Sequence, residues 1–161
     1  MYKSFFSIFL LYFISTYSVY AEYFHGKVVS ITDGDTITVL TDKKQNKIRL
    51  AEIDTPEKNQ PYGKKAKKAL SDFIFGKTVR IEIDTIDRYG RTVGTIFSEG
   101  LNINKEMVKA GHAWVYIQYA KDETLFILEK NAKENQLGLW ALPEGERIPP
   151  WQWRKNRRQS K

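Results

Sequence analysis

Asp33 and Asp35 flank Gly34 inside "SITDGDTITVL", residues 30–40, a run that otherwise reads as β-strand. An Asp-Gly pair between β-branched residues signals a tight hairpin turn in which glycine supplies a positive φ. That accounts for Asp33 and Gly34. It leaves Asp35, because a carboxylate held beside another costs electrostatic energy unless a cation or hydrogen-bond donors lie between them. A solvated turn and half of a cation site both fit. In "IRLAEIDTPE", residues 48–57, Arg49 is followed by Asp54, Thr55 and Glu57 at the point where Pro56 stops a strand. The plain reading is a solvated strand end, with Glu52 an ordinary surface residue. The third cluster, "DRYGR", is a polar hairpin with Gly90 in its turn, or a source of two guanidiniums, Arg88 and Arg91, whose planar fork matches two phosphate oxygens at once. Together the clusters offer carboxylate oxygens for a hard cation, a carboxylate free to act as a base, and arginines for a tetrahedral anion.

The elements that must position these residues are short. "GKVVSIT", "TITVLT" and "NKIRLAEI" read as strands, and "TVRIEID" and "TVGTIFS" form a second pair around "TIDRYGR". "YGKKAKKALSDFIFG" places Ala66, Ala69, Leu70 and Phe73 on one helical face, with Lys64, Lys65, Lys67 and Lys68 on a solvated one and Gly76 as a stop. "INKEMVKAG" and "ETLFILEKNAKENQLG" predict two more helices, the second closed by Gly138. Five strands with about three helices predict an α+β fold, a five-stranded Greek-key β-barrel of the oligonucleotide-binding (OB) type. An open α+β sheet is the alternative.

Residues 1–21 carry Lys3, the apolar run "FFSIFLLYFI", and Val19 and Ala21 at positions a signal peptidase favours. The run is shorter than the roughly 20 residues of a membrane span. It predicts a cleaved leader and export to the periplasm or medium, with no membrane span in what remains; an N-terminal anchor that is retained is the alternative. With no cysteine, thiol chemistry and cysteine-ligated metals are excluded. The net charge of +7 is unevenly spread. Of the 26 lysines and arginines, Lys3 lies in the leader and six lie in residues 147–161, leaving 19 in the body against all 19 acidic residues. A polyanion would therefore be recruited by local patches or by the tail. The organisation expected is a leader (1–21), one compact domain (22–146) and a basic tail (147–161), anchored by its tryptophans and mobile past Trp153. His25 and His112 are isolated and offer no zinc site. Trp114 and Trp140 read as core.

"DGDT", "IRLAEIDTPE" and "DRYGR", in this order and at these separations, resemble the thermonuclease (staphylococcal or micrococcal nuclease) family from about Phe24 to Trp140, continuing into "PPWQWR". The resemblance implies an OB-type barrel and a calcium-dependent endonuclease that cuts DNA and RNA to products ending in 3′-phosphates. It implies that Asp35 and Asp54 ligate Ca²⁺ through side chains and Thr55 through its carbonyl, with Asp33 just outside. It implies that Arg49, Glu57 and Arg91 are catalytic, and that Arg88 and Tyr89 contact substrate. Oxygen ligands of this kind suit Mg²⁺ or Mn²⁺ as well. DNA and RNA are the expected partners of a monomer. "KNQPYGKK" is shorter than the corresponding loop of the family's best-known member. The rival reading, a non-catalytic nucleic-acid-binding barrel, is opposed by the joint presence of Asp35, Arg49, Asp54, Glu57 and Arg91.

Overall fold

The computed structural model describes residues 22–160; the expected leader lies outside the described residues. Chain order is β1 (Tyr23–Ile31), β2 (Thr36–Thr41), β3 (Lys44–Leu50), β4 (Ile53–Asp54), α1 (Gly63–Ile74), β5 (Thr78–Ile86), β6 (Thr92–Ser98), β7 (Leu101–Asn102), α2 (Ile103–Lys109), β8 (Trp114–Val115), α3 (Glu123–Glu134) and α4 (Pro150–Gln159). Antiparallel pairings run β3-β2-β1-β5-β6, and a parallel pairing of β3 with β6, Ile48 opposite Thr92 to Leu50 opposite Gly94, closes the five strands into a barrel. This is the OB-type α+β barrel read from the sequence, not the open sheet. Alternating strand residues fill it: Ile37, Val39, Ile48, Leu50, Ile81 and Ile96 are buried. Ala66, Leu70 and Ile74 of α1 and Ile103, Met107 and Val108 of α2 supply buried apolar faces. Each large side chain among them contributes about 1.5–3 kcal/mol by leaving water.

Four departures from the expected elements matter for the site. Gly34 does not have positive φ. The turn is closed instead by Asp33, whose Oδ1 accepts the amide of Asp35 at 3.1 Å. Glycine is required there by crowding, since a Cβ would lie 2.8 Å from Thr55 Oγ1 and 2.9 Å from the Ala66 Cβ. Second, "NKIRLAEI" is not one strand. It breaks after Leu50, Glu52 takes φ 63°, and Ile53–Asp54 pairs with β8 in a separate ladder. Third, α3 is closed by Gln136 at φ 52°, ahead of Gly138. Fourth, residues 150–159 form α4, a fourth helix where a tail mobile past Trp153 was expected. Pro150 starts it, where a missing N–H costs nothing, and Trp151 stacks on Tyr116 with ring centroids 5.7 Å apart and planes 2° from parallel. As expected, Trp140 is core, and Trp114 packs edge-on against it at 4.3 Å.

Candidate active site

The site lies where β2 begins, β3 ends and β4 crosses to β8. Register puts Thr36 opposite Arg49 across the β2–β3 ladder, so Asp35 enters beside Arg49. The bend at residues 51 and 52 then does what strand alternation could not, turning Asp54 back toward Arg49. Two groups hold the bend. Asn104 of α2, buried, donates to the carbonyls of Ala51 (3.0 Å) and Gly94 (3.3 Å) and accepts the Ile96 amide at 3.1 Å. The Glu52 carboxylate accepts the amides of Lys121 and Asp122, the latter at 2.9 Å, at the start of α3.

Asp35 is buried and has four donors around it. Its Oδ2 accepts the amide and the hydroxyl of Thr55, both at 2.8 Å, and its Oδ1 accepts the Thr36 hydroxyl at 3.1 Å and lies 3.3 Å from Arg49 Nε. Burial pushes its carboxyl up, but the Arg49 charge and the Thr55 donors outweigh it and hold Asp35 below the usual carboxylate range. Asp54, also buried, accepts Arg49 Nη2 at 3.0 Å. There burial prevails over its guanidinium partners, helped by the Asp35 charge, and its carboxyl is raised. Asp33 is pushed up to about 7 by burial and the neighbouring Asp35 charge. Glu57 sits on the loop before α1, its amide bonded to Gln60 Oε1 at 3.1 Å. Gly63 allows that loop to lie on the helix, since a Cβ there would fall 1.9 Å from the Glu57 carbonyl oxygen.

Asp35, Arg49, Asp54 and Thr55 are thus one cluster, and Glu57 joins it through Arg154, which bonds both Glu57 and Asp54. Among the described residues, Arg91, Arg88 and Tyr89 make no side-chain hydrogen bond or ion pair with these carboxylates. Arg91 is bound to Asp87 at 2.7 Å and lines an adjoining groove with Asp33, Lys47 and Tyr89. Arg88 lies over the Tyr89 ring, which is exposed. Asp87 organises the hairpin, accepting the amides of Tyr89 and Arg91 at 2.9 Å each. Burial lowers the pKa of His112 and favours its neutral form, and its Nδ1 is bonded to the Tyr62 hydroxyl at 2.9 Å.

Sequence reasoning did not bring Arg154 to this cluster. Arg154 of α4 reaches Asp54 with Nη2 at 2.7 Å and Nη1 at 3.2 Å, and Glu57 with Nη1 at 2.8 Å. The only sequence signal for it was its place directly after "PPWQW".

The sequence model of one family, described as staphylococcal nuclease homologue, matches residues 47–142, from β3 through the turn after α3. The chain belongs to that family. Among the relatives of this chain, an uncharacterized endonuclease of Escherichia coli O157:H7 is 42% identical over 146 residues, covering 90% of this chain and 94% of that protein. An uncharacterized endonuclease of Haemophilus influenzae is 48% identical over 130 residues, 80% of this chain and 72% of the other. A micrococcal nuclease of Shigella flexneri is 40% identical over 143 residues, 82% and 81% of the two chains.

Proposed function

We propose that this chain is an exported, divalent-cation-dependent endonuclease that hydrolyses phosphodiester bonds of DNA and RNA and leaves 3′-phosphate ends, with Ca²⁺ as its cation. One arrangement carries the reading: two buried carboxylates, Asp35 and Asp54, share the Arg49 guanidinium while the half-exposed Glu57 stands beside Asp54. Family membership and the nuclease names of the relatives support it.

The donor set fits a hard cation. Asp35 and Asp54 present carboxylate oxygens to one guanidinium, Asp35 Oδ1 at 3.3 Å from Arg49 Nε and Asp54 Oδ1 at 3.0 Å from Arg49 Nη2. Among the described residues no three acidic or histidine side chains converge on one point, so the remaining ligands would be water and backbone, which hard cations accept readily. Asp35 and Asp54 would hold the ion, with Thr55 contributing its carbonyl. Bound there, a divalent cation supplies positive charge against phosphate oxygens and orients water.

The protein's own groups divide the remaining work. A phosphodiester is already anionic, and charge on its equatorial oxygens grows as the fifth bond forms. Arg49 is rigidly held by Asp35, Asp54 and the Leu50 carbonyl at 2.7 Å, so its charge is preorganised. Arg91, which lines the adjoining groove, offers a fork to a second pair of phosphate oxygens. Glu57 takes the proton of the attacking water; its side chain is 36% exposed, so water reaches it. Arg88 and Tyr89 contact the nucleotide beyond the cleaved bond. Residues 1–21 direct export.

The test is to incubate the chain starting at Glu22 with single- and double-stranded DNA and RNA, adding Ca²⁺, Mg²⁺ or chelator, and to identify product ends. Cation-dependent cleavage to 3′-phosphates is expected. Binding of every polynucleotide with no cleavage in any cation would replace the proposal with the non-catalytic barrel.

A further inference from the structure

Arg154 does more than anchor α4. Burying a carboxylate without a counter-charge costs several kcal/mol, and the Asp54 side chain is only 1% exposed. Arg49 neutralises one side of it. On the other side, a bidentate fork from Arg154 covers both Asp54 oxygens and extends to Glu57 Oε1. Three carboxylates, Asp35, Asp54 and Glu57, thus face two guanidiniums and retain one negative charge. Exchanging Arg154 for a divalent cation would make the cluster neutral. Keeping both would make it positive and crowd two cations onto the same Asp54 oxygens.

The structure supports Arg154 as a built-in occupant. The chain enters α4 through Ile148, whose carbonyl accepts Gln60 Nε2, and Gln60 also holds the Glu57 loop. Trp151 docks against Tyr116 and edge-on against Trp114 at 5.9 Å. Arg154 follows three residues later on the same helical face. Its burial opposes a charged guanidinium, and the bonds to Asp54 and Glu57 outweigh that penalty, so its proton is held more firmly than usual.

We infer that Arg154 is the resident counter-ion of the Asp54–Glu57 pair, and that divalent-cation binding is an exchange in which the guanidinium leaves those oxygens. This rests on the reading of Asp35 and Asp54 as the cation site. Arg154 is therefore a positioning residue: it keeps Asp54 and Glu57 in place before the cation arrives and weakens cation affinity by competing with it.

Calorimetric titration of the substrate-free chain with Ca²⁺, Mg²⁺ and Mn²⁺ tests the exchange, comparing the parent with Arg154→Gln and Arg154→Lys. Removing the competing charge should tighten cation affinity about tenfold to a hundredfold, the range expected when a hydrogen bond between charged groups no longer has to be broken. Arg154→Lys keeps the charge and should stay nearer the parent than Arg154→Gln. A side chain that merely held α4 would not give this ordering. Equal or weaker affinity in Arg154→Gln, with clear binding by the parent, overturns the exchange and leaves the cation site standing. Absence of binding by parent and variants with all three cations overturns the cation site itself, and the exchange with it.

Discussion

Asp35 and Asp54 are both buried, yet their carboxyls are driven in opposite directions, because Asp35 collects four donors and Asp54 has only guanidiniums to offset burial. This changes what their removal should do. Two adjacent carboxylates alone suggest that deleting one relieves repulsion. Here Asp35→Ala would leave the Thr55 amide and hydroxyl and the Arg49 charge without a partner. The cation-free variant should lose about 3 kcal/mol, read as a lower urea midpoint, and its Ca²⁺ affinity should fall. Unchanged stability would mean that these donors find water instead. Glu57→Gln, Arg49→Lys and Arg91→Lys should each remain folded by circular dichroism while turnover falls roughly 100-fold or more. The candidate carboxylates and arginines were legible in sequence because they fall in three compact motifs. Arg154, Glu52 and Asn104 were not, because each acts across a distance of about 50 to 100 residues in the chain.

At the scale of elements, periodicity revealed the barrel strands and the helices but not the break that makes the site. A chain reversal is usually marked by glycine or proline. Here Glu52 takes the left-handed conformation, at a cost of about 1–2 kcal/mol for a residue with a Cβ, offset by its carboxylate bonds to the α3 N-terminus. Those partners lie some 70 residues away, so no local pattern announces the turn. Gly63 shows the same dependence on a remote neighbour. Gly63→Ala should push the Glu57 loop off α1, cost about 1–3 kcal/mol and lower turnover with it, measured by thermal melting and initial rates. Asp122 caps α3, its Oδ1 accepting the Thr124 amide at 2.9 Å, while its carboxylate meets Lys105 at 2.7 Å. The bonds from Lys105 and Thr124 lower its pKa to about 2. A carboxylate lowered on folding stabilises the protein above its unfolded pKa and loses that contribution as pH falls through the folded value. Asp122→Ala should therefore cost about 1 kcal/mol at neutral pH, and its gap from the parent should narrow as pH drops from about 4 toward 2. A gap independent of pH would mean that the ionised carboxylate is not what caps α3.

For the whole molecule, the uneven charge was legible but its placement was not. Sequence separates an electroneutral body from a basic end. The structure divides that end again, with Arg154 turned into the carboxylate cluster and Lys155, Arg157 and Arg158 exposed. Composition could not distinguish them, because one helical turn decides which arginine follows Trp151 onto the docked face. Ending the chain at Asn156 should preserve turnover on a saturating dinucleotide. For long polynucleotides it should flatten the dependence of log affinity on log salt, by roughly 0.7 to 0.9 for each phosphate that the shortened helix no longer neutralises. An unchanged slope would assign the exposed arginines to something other than substrate. Among the described residues no helix is long and apolar enough to cross a membrane. On the proposed function, Asp35, Arg49, Asp54 and Glu57 form a cation-dependent phosphodiesterase centre. Its most direct test is the initial rate of cleavage of one defined oligonucleotide by the chain from Glu22, with Ca²⁺ and with chelator, beside Glu57→Gln. Cleavage by the parent with Ca²⁺, its loss in chelator, and a rate at least about 100-fold lower in Glu57→Gln are expected. Equal rates with Ca²⁺ and with chelator, or equal rates for parent and Glu57→Gln, would contradict the proposed function.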